Sequence, residues 1–111
     1  DVGDLTAVRN GAGGQSSAVS GYTSGGIGPP ITNIIDKFAF ASDGNATDVG
    51  DLTSTRYGSA GQSSTTSGYN SGGATPATTN IIDKFPFAAD ANATDVGDIT
   101  VVRELVAGQQ V

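Results

Sequence analysis

Three observations predict an all-β repeat fold. The 111-residue chain aligns with itself without a gap at an offset of 47 residues, so that Asp1–Thr6, Asp48–Thr53 and Asp95–Thr100 coincide as DVGDLT, DVGDLT and DVGDIT. Gly, Ser, Thr and Asn are spread throughout and leave no 3.6-residue apolar period, which disfavours helix. The most apolar stretch, TNIIDKFAFA (Thr32–Ala41), instead alternates, with Ile34, Phe38 and Phe40 on one parity and Ile35, Lys37 and Ala39 on the other. A fixed long period is the sequence mark of a repeat architecture. The copies divide as residues 1–47, 48–94 and a partial third, 95–111, within one continuous repeat domain.

Each copy reads as short strands joined by turns. GQSSAV followed by SG and YTSGG predicts a tight hairpin, with Gly21 supplying a positive φ in the turn. The pair Gly25-Gly26 ends the second strand. Thr32–Ala41 is the third; Asp36 falls on its phenylalanine face, so a bulge or a polar edge is expected there. Pro86, in the second copy of this strand, has no amide hydrogen and points the same way. A polar loop, Ser42 to Thr47, leads into a fourth strand that begins at DVGDLT and carries Val49 and Leu52. VVRELVAG (Val101–Gly108) is the most helix-like segment, but its alignment with Ala7–Gly14 favours strand or loop.

Composition narrows the function classes. There are 17 Gly, no Cys, Met, Trp or His, and seven aromatics, a small stock of bulky side chains for a core. Such a chain is either disordered or packs its sheets closely through small residues and borrows core from neighbours. The net charge of −6 argues against a nucleic-acid groove. No apolar run is long enough for a transmembrane helix. No signal peptide or initiator Met is visible, as expected of a processed or excerpted chain. Without Cys there are no disulfides or thiolate metal sites. With neither His nor Cys, and with Lys37 and Lys84 each beside an Asp in a strand, a serine nucleophile has no base, so no enzymatic activity is expected.

Four short strands per copy, with a double glycine closing an aromatic-bearing strand, are features of a propeller blade. At these residues the chain resembles the kelch repeat: Arg9, Tyr22, Gly25, Gly26, Phe38 and Leu52 in the first copy, and Arg56, Tyr69, Gly72, Gly73, Phe85 and Ile99 in the second. The fourth-strand Trp of kelch is missing, Val49 or Val96 standing nearest its place, and the loop before that strand is longer. The near-identical IDKFPFA and DANATDVGD segments are also similar to repeats of predicted structural proteins of marine phages and environmental sequences. The resemblance implies four-stranded kelch-like blades.

Two blades would leave one face of each uncovered, and repeat folds need about three or more units before burial offsets chain entropy. Completion is therefore expected through homo-oligomerisation, either a closed ring of three chains or more or a head-to-tail fibre, unless the chain is part of a longer array. Residues Asp95–Val111 duplicate the element encoded by Asp1–Ser17, so one copy is surplus unless it is exchanged between chains.

Candidate sites lie in the loops. Asp43, Asn45, Thr47, Asp48 and Asp51, repeated as Asp90, Asn92, Thr94, Asp95 and Asp98, place oxygen ligands at alternate positions, as a calcium loop does. The loop-turning Gly and the closing Glu are missing, Ser54 and Val101 standing in place of the latter, so Asx-turns are the favoured account and no cofactor is expected beyond a weak calcium possibility. Asn45 and Asn92, in NAT, are candidate N-glycan acceptors. Arg9, Arg56 and Arg103, with Tyr22 and Tyr69, suit a sugar or phosphate site. Pairing of the arginines with Asp4, Asp51 and Asp98, five residues upstream, is the favoured alternative. The glycine pairs precede no helix and are not phosphate loops; close packing or special backbone angles explain them.

Together these readings predict a non-enzymatic structural or assembly protein, extracellular or on a virion surface as an appendage or surface element. The alternative is a small oligomeric propeller lectin binding glycans between blades.

Overall fold

The computed structural model describes residues 1–103. It is all-β, with eight strands in chain order: β1 (Gly13–Ser16), β2 (Ser20–Ser24), β3 (Ile34–Ala39), β4 (Thr47–Asp51), β5 (Ala60–Ser63), β6 (Ser67–Ser71), β7 (Ile81–Pro86) and β8 (Thr94–Asp98). They form two four-stranded antiparallel meanders, β1-β2-β3-β4 and β5-β6-β7-β8. Each meander ends on the opening residues of the next sequence copy, because the first residues of DVGDLT complete the sheet before them. Among the described residues no helix is long and apolar enough to cross a membrane. Most of VVRELVAG lies outside the described residues.

The first hairpin forms where expected, but its turn is built differently. Gly21 sits inside β2, opposite Ser16, and is not among the positive-φ glycines. The reversal is made by Ser17, whose Oγ accepts from the amides of Val19 (3.2 Å) and Ser20 (3.0 Å), with Ser64 doing the same in the second sheet. A serine hydroxyl thus supplies the turn chemistry assigned to glycine from the sequence. Gly21 has another role. A Cβ there would stand 2.4 Å from Cζ of Phe38, its cross-strand partner, so the glycine makes room for the ring. Gly68 and Phe85 repeat the arrangement.

The register between β3 and β4 shifts between Ile35 and Asp36, and that between β7 and β8 shifts between Ile82 and Asp83. This is the bulge expected at the aspartate. Such a bulge re-aims the side chain, and both aspartates are completely buried. Pro86 is the last residue of β7, where its missing amide hydrogen is tolerated.

The two sheets meet most closely at their first strands: β1 lies against β5 and β6, and no other strands of the two sheets come as near. This contact is glycine-dependent. A Cβ on Gly61 would lie 2.1 Å from the carbonyl oxygen of Gly14. Farther out, Tyr22, Ile35 and Leu52 from the first sheet and its exit pack with Phe85 and Ala93 of the second, flanked by Val49 and Phe87. Tyr22 is stacked on Phe87 (ring centroids 5.0 Å apart) and tilted against Phe85 (5.5 Å). The core is therefore chiefly an inter-sheet core, which is how a chain with so few bulky residues buries them.

Candidate functional site: the junction between repeats

The most elaborate polar construction in the molecule surrounds the bulged aspartates. Asp83 accepts from the Thr53 amide (2.8 Å), from Thr53 Oγ1 (2.8 Å) and from the Arg56 guanidinium in a charge-assisted bond. The same guanidinium donates to the carbonyls of Gly72 (3.3 Å) and Ile81 (3.2 Å). Both side chains of this ion pair are wholly buried. The first copy is equivalent: Asp36 accepts from the Thr6 amide (2.9 Å), Thr6 Oγ1 (2.8 Å) and Arg9, whose Nη1 reaches Gly25 and Ile34 carbonyls, both at 3.1 Å.

This corrects the partners expected for the arginines. The aspartates of the DVGDLT segments are closer in sequence, but the bulge brings an aspartate from 27 residues away instead. Asp4 and Asp51 engage through their backbones. The Asp51 amide donates to Asn92 Oδ1 (3.0 Å) and its carbonyl accepts from the Ala93 amide (2.8 Å), as Asp4 does with Asn45 and Ala46.

Arg56 joins the sheets by dividing its groups between them. Its backbone amide donates to Thr32 O (3.2 Å), and its carbonyl accepts from the Gly26 amide (2.7 Å), both in the first repeat. Its side chain is engaged entirely in the second sheet. The double glycine permits this contact: Gly25 and Gly26 have φ of 68° and 108°, and a Cβ on Gly25 would come within 2.6 Å of the Arg56 carbonyl oxygen. Both explanations offered for the pair from sequence, close packing and special backbone angles, hold at once. Smaller polar links run alongside: Gln15 Nε2 donates to Tyr69 O (2.9 Å), Asn70 Nδ2 to Ser24 Oγ (2.8 Å), and the Ser16 amide to Ser63 Oγ (2.9 Å).

The acidic loops are used as backbone caps. Asp48 Oδ1 accepts from the Gly50 amide and Asp95 Oδ1 from the Gly97 amide, each at 3.1 Å, which are Asx-type bonds. Asn45 and Asn92 are exposed; each uses its side-chain oxygen on the preceding DVGD segment, and the amide nitrogen, the atom an N-glycan would take, is not part of that bond. Among the described residues no three His, Cys, Asp or Glu side chains converge as a metal site would require. Lys37 reaches Asp90 of the other sheet at 3.2 Å on the exposed side.

The residues grouped from sequence as a sugar site are not at the surface together. Tyr22 is buried between sheets, the guanidiniums of Arg9 and Arg56 are in the ion pairs, and only Arg103 is exposed. The aspartates that receive the arginines were not singled out as partners; the signal available was their position on the apolar face of the third strand.

The two copies differ sharply in burial despite their near-identity. Phe85 is 1% exposed, whereas Phe38 is 37% exposed and Phe40 55%. In the other direction, Tyr22, Ile35 and Leu52 are buried, but their counterparts Tyr69, Ile82 and Ile99 are only half-buried, and Val96 is exposed. Among the described residues each sheet thus has one well-covered face and one that is more exposed. No protein-family model matches the chain, and no curated protein matches it.

Proposed function

We propose that the chain is a non-enzymatic structural and assembly protein of kelch-like blades, forming an oligomeric ring or fibre as a virion appendage or other surface element. The observation that carries this reading is the unequal burial of equivalent residues. The face bearing Phe38 and Phe40, and the opposite face bearing Tyr69, Ile82 and Val96, have the composition of the internal core, but the described residues cover them only in part. Exposed apolar surface of this kind marks an interaction site, and homo-oligomers bury it with closed or open symmetry.

The polar groups support the same reading. The buried guanidiniums, carboxylates and amides are engaged in joining strands and repeats. The meander order of both sheets and their convergence at β1 and β5 support blades arranged about an axis. Asn45 and Asn92 remain the glycan-acceptor candidates of a surface protein, and the intact mass of the natively produced chain tests them. Electron microscopy of the purified full chain tests the assembly: rings or filaments are expected, and a field of particles no larger than one chain rejects it.

A further inference from the structure

We propose that the exposed Phe38/Phe40 face is the docking site for the opposite face of a second copy of this chain, whose Asp95–Arg103 replaces Asp1–Arg9 around Asp36. This rests on the self-assembly reading and specifies its junction. The internal junction between the sheets, shifted by one repeat, dictates every contact.

The accepting side is formed except for the segment to be exchanged. Phe38 and Phe40 meet edge-on with centroids 6.1 Å apart at 73°, almost as Phe85 and Phe87 do at 6.0 Å and 78°. The latter pair holds Tyr22, while beside the former a cavity of about 230 Å³ opens, walled by Phe38 and Ala46 and by Val2 and Leu5 of the segment to be exchanged, whose repeat equivalents are Val96 and Ile99. Tyr69 of the entering copy is the side chain that the repeat puts there. Among the described residues no atom lies within 4 Å of a Cβ built on Gly14, although it is the very residue whose carbonyl abuts Gly61 at the internal junction. Gly61 of the entering copy carries the matching surface.

The entering side is formed too. Arg103 docks its backbone on the second sheet as Arg56 docks on the first: its amide donates to Thr79 O (3.3 Å) and its carbonyl accepts from the Gly73 amide (2.7 Å). Its side chain is exposed, where that of Arg56 runs on into a buried aspartate. In the next copy that aspartate is Asp36, held within a single chain by Thr6 and Arg9. Thr6 and Thr100, and Arg9 and Arg103, are one repeat-equivalent pair each, so they compete for one position. A copy can enter only by displacing the first nine residues of its neighbour. Asp95–Arg103, which opens the third sequence copy, is then the donor segment.

Sedimentation of full-length variants tests the junction, with circular-dichroism melting to establish folding. Gly14→Ala adds a methyl group where the single chain has space, so it is expected to fold like the unaltered chain but to sediment as a single chain. Assembly of Gly14→Ala equal to that of the unaltered chain overturns the proposed face while leaving assembly itself standing. A single-chain species for the unaltered protein rejects both. Arg9→Ala tests the exchange: Arg103 of a neighbour replaces the lost cation, so this variant is expected to assemble, whereas Arg9→Ala/Arg103→Ala is not. Equal loss of assembly in the single and double variants overturns the exchange.

Discussion

Arg56→Ala probes the polar joint between the sheets. The substitution leaves the Asp83 carboxylate wholly buried, still bonded to the Thr53 amide and hydroxyl but facing no cation, and strips the Gly72 and Ile81 carbonyls of their shared donor. Removing one member of a buried ion pair costs about 3–5 kcal/mol, much of it the penalty of the charge left behind. A domain of this size has about 5–15 kcal/mol in total, so the variant should lose a large part of its stability. With about 4–8 °C of melting temperature per kcal/mol, the drop should be at least about 12 °C. The assay is thermal unfolding by circular dichroism at one fixed protein concentration, because association raises the apparent midpoint. Replacing both partners, as Arg56→Met/Asp83→Leu, should recover the part of the loss due to the unpaired charge. It should not recover the part due to the Thr53 amide and hydroxyl and the Gly72 and Ile81 carbonyls, which lose these bonds in the double variant too. A single variant within about 1 kcal/mol of the unaltered protein would refute the assignment of Arg56 as the joint, because surface changes have effects of that order.

Other outcomes follow from the same contacts. Phe85→Ala should cost about 3–5 kcal/mol in urea unfolding, the range for a buried Phe, whereas Phe38→Ala, already 37% exposed, should cost less in the single chain and weaken assembly instead; equal costs would contradict the unequal burial. Gly68→Ala puts a methyl carbon 2.4 Å from the Phe85 ring and should destabilise by about 1–3 kcal/mol through overpacking, which chemical unfolding measures. Millimolar calcium should leave the melting temperature unchanged, since Asp48, Asp95, Asn45 and Asn92 already cap backbone amides; a rise would reveal a bound ion.

Much of the fold was legible because the repeat states every local rule at least twice. Alternation in Thr32–Ala41 marked the third strand, and Asp36 on its apolar face marked the bulge. The turn was misplaced because Gly21 carries the stronger statistical signal, while the two amide bonds to Ser17 Oγ require the backbone path to be known. The arginine partners were misassigned for a related reason. Proximity in sequence favoured Asp4 and Asp51, but an antiparallel sheet with a bulge gives the guanidinium a carboxylate that burial leaves otherwise unpaired. Least legible was the difference between Phe38 and Phe85. Their sequence surroundings are nearly the same, and only the presence of a preceding sheet separates a core residue from a half-exposed one.

Sedimentation equilibrium of the unaltered full chain over a wide concentration range tests the central claim most directly. The account predicts a mass that rises with concentration to three chains or more. A folded species that remains at 10.9 kDa throughout would contradict it.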